Sequence, residues 1–301
     1  METSPETLDK FPNRIRPSLS GRMAQGLAAI WRVGPGRYGG IIVGLMLVTA
    51  MICPWLAPYD PLEQDIVHRF AGPSYTHWLG TDYLGRDLLS RLLYGCRIAM
   101  VVALGASTLS AVVGTLLGVA AGYREGSKLD YCVIFIFDVI RSFPQIILAL
   151  AIVAVMGSSL FNMIMALGFT VIPFYGRIAR AQTLSVKESD FIQAAEAMGV
   201  GKLRIIFRHI LPNILSPLLI CMGMDMVNMI IYESGLSFLG LGVIPPDASW
   251  GIMLSNGFKY IGTSIWMILW PGAALALAMI GFSLFSEGMR TALDPKRRLR
   301  G

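Results

Sequence analysis

Along the 301 residues, long uncharged stretches alternate with short charged ones, and the uncharged stretches have the length of a bilayer core. About 20 consecutive apolar residues carry a helix across the hydrocarbon. Residues 39–57 form the first such stretch and residues 98–123 the second. Residues 131–176 hold only two charges, Asp138 and Arg141, and have room for a third and a fourth helix joined by a turn at Gly157-Ser158-Ser159. A fifth stretch runs from Ser216 to Leu241 and contains Asp225, Asn228 and Glu233, and a sixth, uncharged, runs from Tyr260 to Ser286. The pattern predicts an all-α, polytopic membrane protein with six transmembrane helices.

The basic residues give the six passes a direction. In this arrangement 19 of the 25 Lys and Arg residues fall on one side, in residues 1–38, 123–130, 177–213 and 287–301, whereas five fall on the other and Arg141 lies within a helix. Positive charge marks the cytoplasmic face, so both termini are expected there. The formal net charge of +6 follows the membrane and does not gather into a nucleic-acid surface. Residues 1–38 carry six basic residues but no signal-peptide core, and read as a cytoplasmic tail before an uncleaved first helix. The expected organisation is this tail, a first transmembrane helix over 39–57, an external loop over 58–97, a transmembrane core over 98–287 and a basic cytoplasmic tail over 288–301. Composition agrees: 54% of residues are hydrophobic and 15% charged, a surplus that needs lipid to cover it. The four cysteines are far apart and read as small buried hydrophobes.

Between Arg177 and Asn213 the chain leaves the membrane for longer than a turn requires. Ser185-Val186-Lys187-Glu188 has the form of a capping box and predicts a helix start. Phe191, Ile192, Ala194, Ala195 and Met198 then fall on one apolar face, with Gly199 and Gly201 ending the helix. Leu203, Ile206, Phe207, Ile210 and Leu211 form the face of a second short helix that Pro212 closes. Amphipathicity alone suits a helix lying flat on a membrane as well as one that docks on a protein.

Gln193-Ala194-Ala195-Glu196-Ala197-Met198-Gly199, followed by Pro212 in His209-Ile210-Leu211-Pro212-Asn213, resembles the EAA loop of ABC importer permeases. Residues 78–87 (WLGTDYLGRD), Leu236-Ser237-Phe238-Leu239-Gly240-Leu241-Gly242 with Pro245-Pro246 and Trp250-Gly251, and Leu293-Asp294-Pro295-Lys296 are similar to the dipeptide, oligopeptide and nickel branch of that family. The resemblance implies that segment 183–213 docks on an ATPase subunit through Gln193, Ala194, Ala195, Glu196, Met198, Gly199 and Pro212. It further implies a second homologous permease, two ATP-binding subunits and an external solute-binding protein as partners. ATP and Mg would be used by those ATP-binding subunits, with no cofactor bound by this chain. Gln193 stands where the family has an acidic residue, and His209 where it has Ile.

Residues 80–82 (GTD) read as a turn in which Thr81 or Asp82 caps a helix, with Asp87 paired to Arg91. Gly114, Gly118 and Gly122 repeat every four residues and predict a close helix crossing. Intramembrane ionisable groups are costly, so Asp138, Arg141, Asp225 and Glu233, together with Asn228, are candidates for a translocation path or for interhelical polar contacts. Asp138 and Arg141, one turn apart, suit pairing with each other. No histidine has metal-ligand spacing, and 199–202 (GVGK) lacks the first glycine of a phosphate loop, so the chain must borrow its energy source. The expected function is the permease subunit of an importer for di- or oligopeptides, with nickel chelates or glutathione-like solutes as alternatives. A stand-alone secondary transporter or channel is the alternative of another class; it is expected to show an internal repeat, and the two halves show none.

Overall fold

A computed structural model describes residues 31, 33–243 and 247–293. Among these residues the chain is helical, with one isolated bridge, Thr81 to Asp87, in place of any sheet. Five helices are long and apolar enough to cross a membrane, and a bent pair supplies a sixth span when counted as one. Most of the predicted N-terminal tail, Pro245-Pro246 and the Asp294-Pro295-Lys296 motif lie outside the described residues.

Helix α1, Gly34–Leu56, starts with a proline in its first turn, where a missing N–H costs nothing. Gly39, Val43, Met46, Ala50 and Cys53 form its buried stripe, while Leu45, Met51 and Trp55 face outward to lipid. Helix α2, Leu88–Tyr123, is 36 residues long and begins ten residues before the predicted start. The extension comes from the end of the segment expected to be external. Asp87, in extended conformation, accepts the Ser90 N–H at 2.8 Å and caps α2. This corrects the expectation that Thr81 or Asp82 caps. Asp82 instead accepts from Leu84 and Arg86 amides and from the Arg86 guanidinium at 2.7 Å, and Arg91 approaches Asp82, not Asp87, at 3.7 Å.

The third predicted span is broken. Helix α3, Lys128–Arg141, and helix α4, Gln145–Met156, meet at 89° across residues 142–144. Phe143 precedes Pro144, which disfavours helical backbone at Phe143 and removes a donor at 144. The turn expected at 157–159 is present: Gly157 has φ +88°, and Ser159 caps α5, Leu160–Lys187, by accepting from Asn162 N–H.

Helix α5 continues eleven residues beyond Gly176, so the segment from Arg177 to Lys187 is helix and not loop. Arg180 holds it there with a two-pronged ion pair to Asp130 at 2.7 and 2.8 Å. The glycine stripe of α2 packs on this helix. A Cβ on Gly114, Gly118 or Gly122 would lie 2.5, 2.1 or 2.9 Å from the carbonyl oxygens of Ile172, Gly176 and Arg180. One turn earlier, Ser110 Oγ donates to Gly168 O at 2.8 Å, so positions 110, 114, 118 and 122 face 168, 172, 176 and 180 in register.

Helix α6, Asp190–Ala197, starts after Ser189; Ser185 lies inside α5, so the predicted capping box does not form. Gly199 at φ +77° ends α6: its N–H bonds Glu196 O and the Val200 N–H bonds Ala195 O, the two bonds of a Schellman motif. Helix α7, Lys202–Ile205, then passes through a π turn, Ile206–Ile210, into α8, Leu211–Phe238. Pro212 therefore opens the membrane helix and does not close the short one. The wide turn, with Leu211 N–H reaching Ile206 O, is where the register adjusts ahead of the missing donor at 212. Gly240 at φ +84° ends α8 by the same pair of bonds, Gly240 N–H to Ser237 O and Leu241 N–H to Leu236 O.

Ser249 caps α9, Trp250–Lys259, and α10, Trp266–Leu293, returns along α1. There Gly39 and Gly281 let the two backbones close, a Cβ on Gly39 meeting Phe285 N at 2.2 Å. Trp250 Nε1 donates to Leu92 O at 2.9 Å, tying α9 to α2, and Trp270 Nε1 donates to Leu79 O at 3.0 Å, tying the segment between α1 and α2 to α10.

Candidate functional site

Two places gather the candidate residues. The first is the segment from α6 to the π turn. The apolar face expected for each of its two short helices divides: Ile192, Ala195, Ile205 and Ile210 are buried against the rest of the chain, while Phe191, Ala194, Met198, Leu203 and Phe207 point outward. Met198 is 77% exposed and Leu203 71%, values that a side chain meets only where nothing covers it. Glu196 is tied inward, accepting from Tyr123 Oη at the end of α2 at 3.1 Å. Gln193 is exposed and spends its amide on Glu188 O at 3.1 Å. Lys187 sits over the Tyr123 ring, 5.7 Å from its centroid, and donates to Tyr123 O. Of the seven candidates here, Ala195 is turned into the chain, Gly199 shapes the turn, and Pro212 lies in the first turn of α8. Gln193, Ala194, Glu196 and Met198 stand at the surface.

The second place is a cavity of about 330 Å³ at the break between α3 and α4. Arg141, Phe143, Gln145, Phe174, Asp225 and Asn228 are among its walls. Asp225 reaches it from α8 and accepts at Oδ2 from Ser107 Oγ and Tyr175 Oη, both at 3.2 Å. Gln145 Nε2 is buried and has no hydrogen-bond partner among the described residues.

The pairing expected between Asp138 and Arg141 does not occur. Asp138 bonds Arg177 on α5, leaving Arg141 without an ion pair among the described residues. Asp138 lies outside the cavity. Asp225 and Glu233, taken together in the sequence, also part: Asp225 lines the cavity, whereas Glu233 is fully buried between α8 serines, accepting from Ser234 Oγ at 3.1 Å and Ser237 Oγ at 2.7 Å. Sequence reasoning passed over Gln145, Tyr175 and Arg177. The signal available was Phe143-Pro144-Gln145, a helix breaker followed by a polar side chain inside an apolar run.

Comparison with known proteins fits this architecture. The N-terminal transmembrane domain of oligopeptide transport permease C matches residues 36–73. The dipeptide transport system permease protein of Alkalihalophilus pseudofirmus is 40% identical over 262 residues, spanning 85% of this chain and 86% of that protein. The probable D,D-dipeptide transport system permease protein of Escherichia coli is 37% identical over 292 residues, spanning 96% of this chain and 97% of that one. Permeases named for glutathione and nickel transport are also among the relatives. In fold, the chain is similar to one from the inward-facing MetNI methionine ABC transporter, with TM-score 0.57, 20% identity, and coverage of 69% of this chain and 98% of that one. A family described as binding-protein-dependent transport system inner membrane component matches residues 114–299, and this chain belongs to it as an inner-membrane ABC importer permease.

Proposed function

We propose that this chain forms one half of a pore for di- or oligopeptides, completed by a second homologous permease and driven by two ATP-binding subunits. Those subunits use ATP and Mg, and an external binding protein delivers the solute. Both termini and the segment over 183–213 lie on the cytoplasmic side. The observation that carries the reading is the outward apolar surface of Phe191, Ala194, Met198, Leu203 and Phe207 on an element that is itself anchored inward by Ile192, Ala195 and Glu196. The inward face is spent on the chain and the outward one is free, and the resemblance of residues 193–199 to the EAA loop assigns that free face to a protein partner. Closure of the ATP-binding pair would pull α6 and rock the long helices between inward- and outward-open states. The dipeptide-transporting relatives support peptides as the solute, with glutathione-like solutes and nickel chelates next.

The test is co-purification from native membranes in mild detergent, with Ala194→Arg plus Met198→Arg as the probe. Both positions are exposed, so the double variant should fold, keep its partner permease and lose the ATP-binding subunits. A chain that purifies alone and moves solute down an ion gradient would place it with secondary transporters instead.

A further inference from the structure

The cavity at the α3–α4 break holds more unspent polar capacity than a packing role uses. Arg141 has no ion pair among the described residues, Asp225 accepts only at Oδ2, and Gln145 Nε2 is buried without a partner. Asn228 stands exposed on the same wall. Structural polar groups in a membrane protein are normally satisfied within the chain, as Glu233 and Asp130 are. These four are not.

The cavity's position also matters. Arg141 is thirteen residues into α3 from Lys128, which at helical rise is roughly 20 Å from that end. Asp138 and Arg177, on the same side, are each about half exposed. Charged side chains at this depth do not face hydrocarbon, so this side of the bundle meets either water or a protein surface. Phe143 and Phe174, both exposed, flank the opening and offer apolar contact beside the charges. A volume of about 330 Å³ is at the small end of ligand pockets.

We propose that this cavity is a zwitterion subsite on the solute's path. Arg141 receives a carboxylate, the unoccupied Oδ1 of Asp225 receives an ammonium group, and the carboxamides of Gln145 and Asn228 receive the peptide group between them. The ligand class is a free amino-acid or dipeptide backbone, read by its ends and its amide and not by its side chains. A permease that serves many peptides needs this kind of recognition, because the ends and the amide are what such solutes share. The subsite rests on the peptide-import reading above and gives it a location.

The experiment uses the assembled transporter with its partner permease and ATP-binding subunits, in lipid nanodiscs. A dipeptide of photo-leucine and alanine is added at millimolar concentration without the binding protein, irradiated, and the labelled positions mapped by mass spectrometry. The expected result is labelling within 140–145, 170–174 and 224–228. Arg141→Gln should lower it about ten-fold or more, the loss of a charge-assisted bond, and Arg141→Lys should restore part of it. Labelling elsewhere, or equal labelling in Arg141→Gln, overturns the subsite. Uptake of radiolabelled dialanine by the same complex in proteoliposomes with its binding protein is read separately. Uptake without label in the cavity overturns the subsite alone, whereas neither uptake nor label overturns the peptide reading with it.

Discussion

Replacing Gly118 by alanine tests whether the α2–α5 crossing is set by backbone contact. The added Cβ would lie 2.1 Å from Gly176 O and 2.9 Å from Ala179 Cβ. Neither is the end of a flexible side chain, so relief requires the helices to separate by about 1 Å to reach ordinary van der Waals distance. That displacement would stretch the bond from Ser110 Oγ to Gly168 O, now 2.8 Å, past useful length. Overpacking of this kind costs about 1–3 kcal/mol, and losing the hydrogen bond adds about 1. Alanine returns about 1 kcal/mol through helix propensity, leaving a net loss of roughly 1–3 kcal/mol. The neighbouring glycines give an internal scale. Gly122 would meet a carbonyl at 2.9 Å, and Gly105 only the Ile164 side chain at 3.2 Å, while Gly44 would meet nothing within 4 Å. The expected order of destabilisation in thermal unfolding of the detergent-solubilised complex is Gly118 > Gly122 > Gly105 > Gly44, with Gly44→Ala neutral or stabilising. Gly118→Ala as stable as wild type, or less damaging than Gly105→Ala, would refute backbone contact as the origin of the stripe.

Other substitutions probe the turns and caps. Gly199→Ala has open space around the new methyl but must hold φ +77°, so it should cost about 1–2 kcal/mol by backbone strain alone, and Gly199→Asn less, as read by thermal unfolding. Asp87→Ala removes the α2 cap and the buried contact to His77 Nδ1 at 3.0 Å, and should cost about 1–3 kcal/mol, with Asp87→Ser recovering only the cap's share; hydrogen exchange at the amides of residues 88–90 would report the fraying directly. Trp250→Phe should loosen α9 by about 0.5–1.5 kcal/mol through the lost bond to Leu92 O, seen as faster proteolysis between α8 and α9; unchanged cleavage would mean the indole bond contributes nothing there.

What the sequence disclosed was governed by nearest-neighbour physics. The apolar runs, the turn at Gly157-Ser158-Ser159 and the glycine stripe depend on residues close in the chain; the turn and the stripe stand where the sequence puts them, and the apolar runs locate the helices though not their ends. What it hid depends on distant partners. Helix α5 runs on past Arg177 because Asp130, fifty residues away, neutralises Arg180. Asp138 prefers Arg177 over Arg141 because α5 lies beside α3, a fact no spacing records. Ser185-x-x-Glu188 met the form of a capping box, yet a cap needs extended backbone, and Ser185 is held in the last turns of α5 while Ser189 is extended. The cavity was half legible: Arg141, Asp225 and Asn228 stood out as polar groups in apolar runs, but their convergence with Gln145 follows from the right-angle break.

The π turn at Ile206–Ile210 joins the surface segment and the helix bearing Asp225 into one rod of 37 residues, Lys202–Phe238, with no hinge of loop between them. A widened turn behaves as a stored extra residue: removing it would rotate everything beyond by about 100°. The angular phase at which Asp225 and Asn228 face the cavity is thus set near the N-terminal end of the rod, some fifteen residues before Asp225. Deleting one residue there would turn the polar edge of α8 toward another neighbour while leaving every side chain that lines the cavity chemically intact.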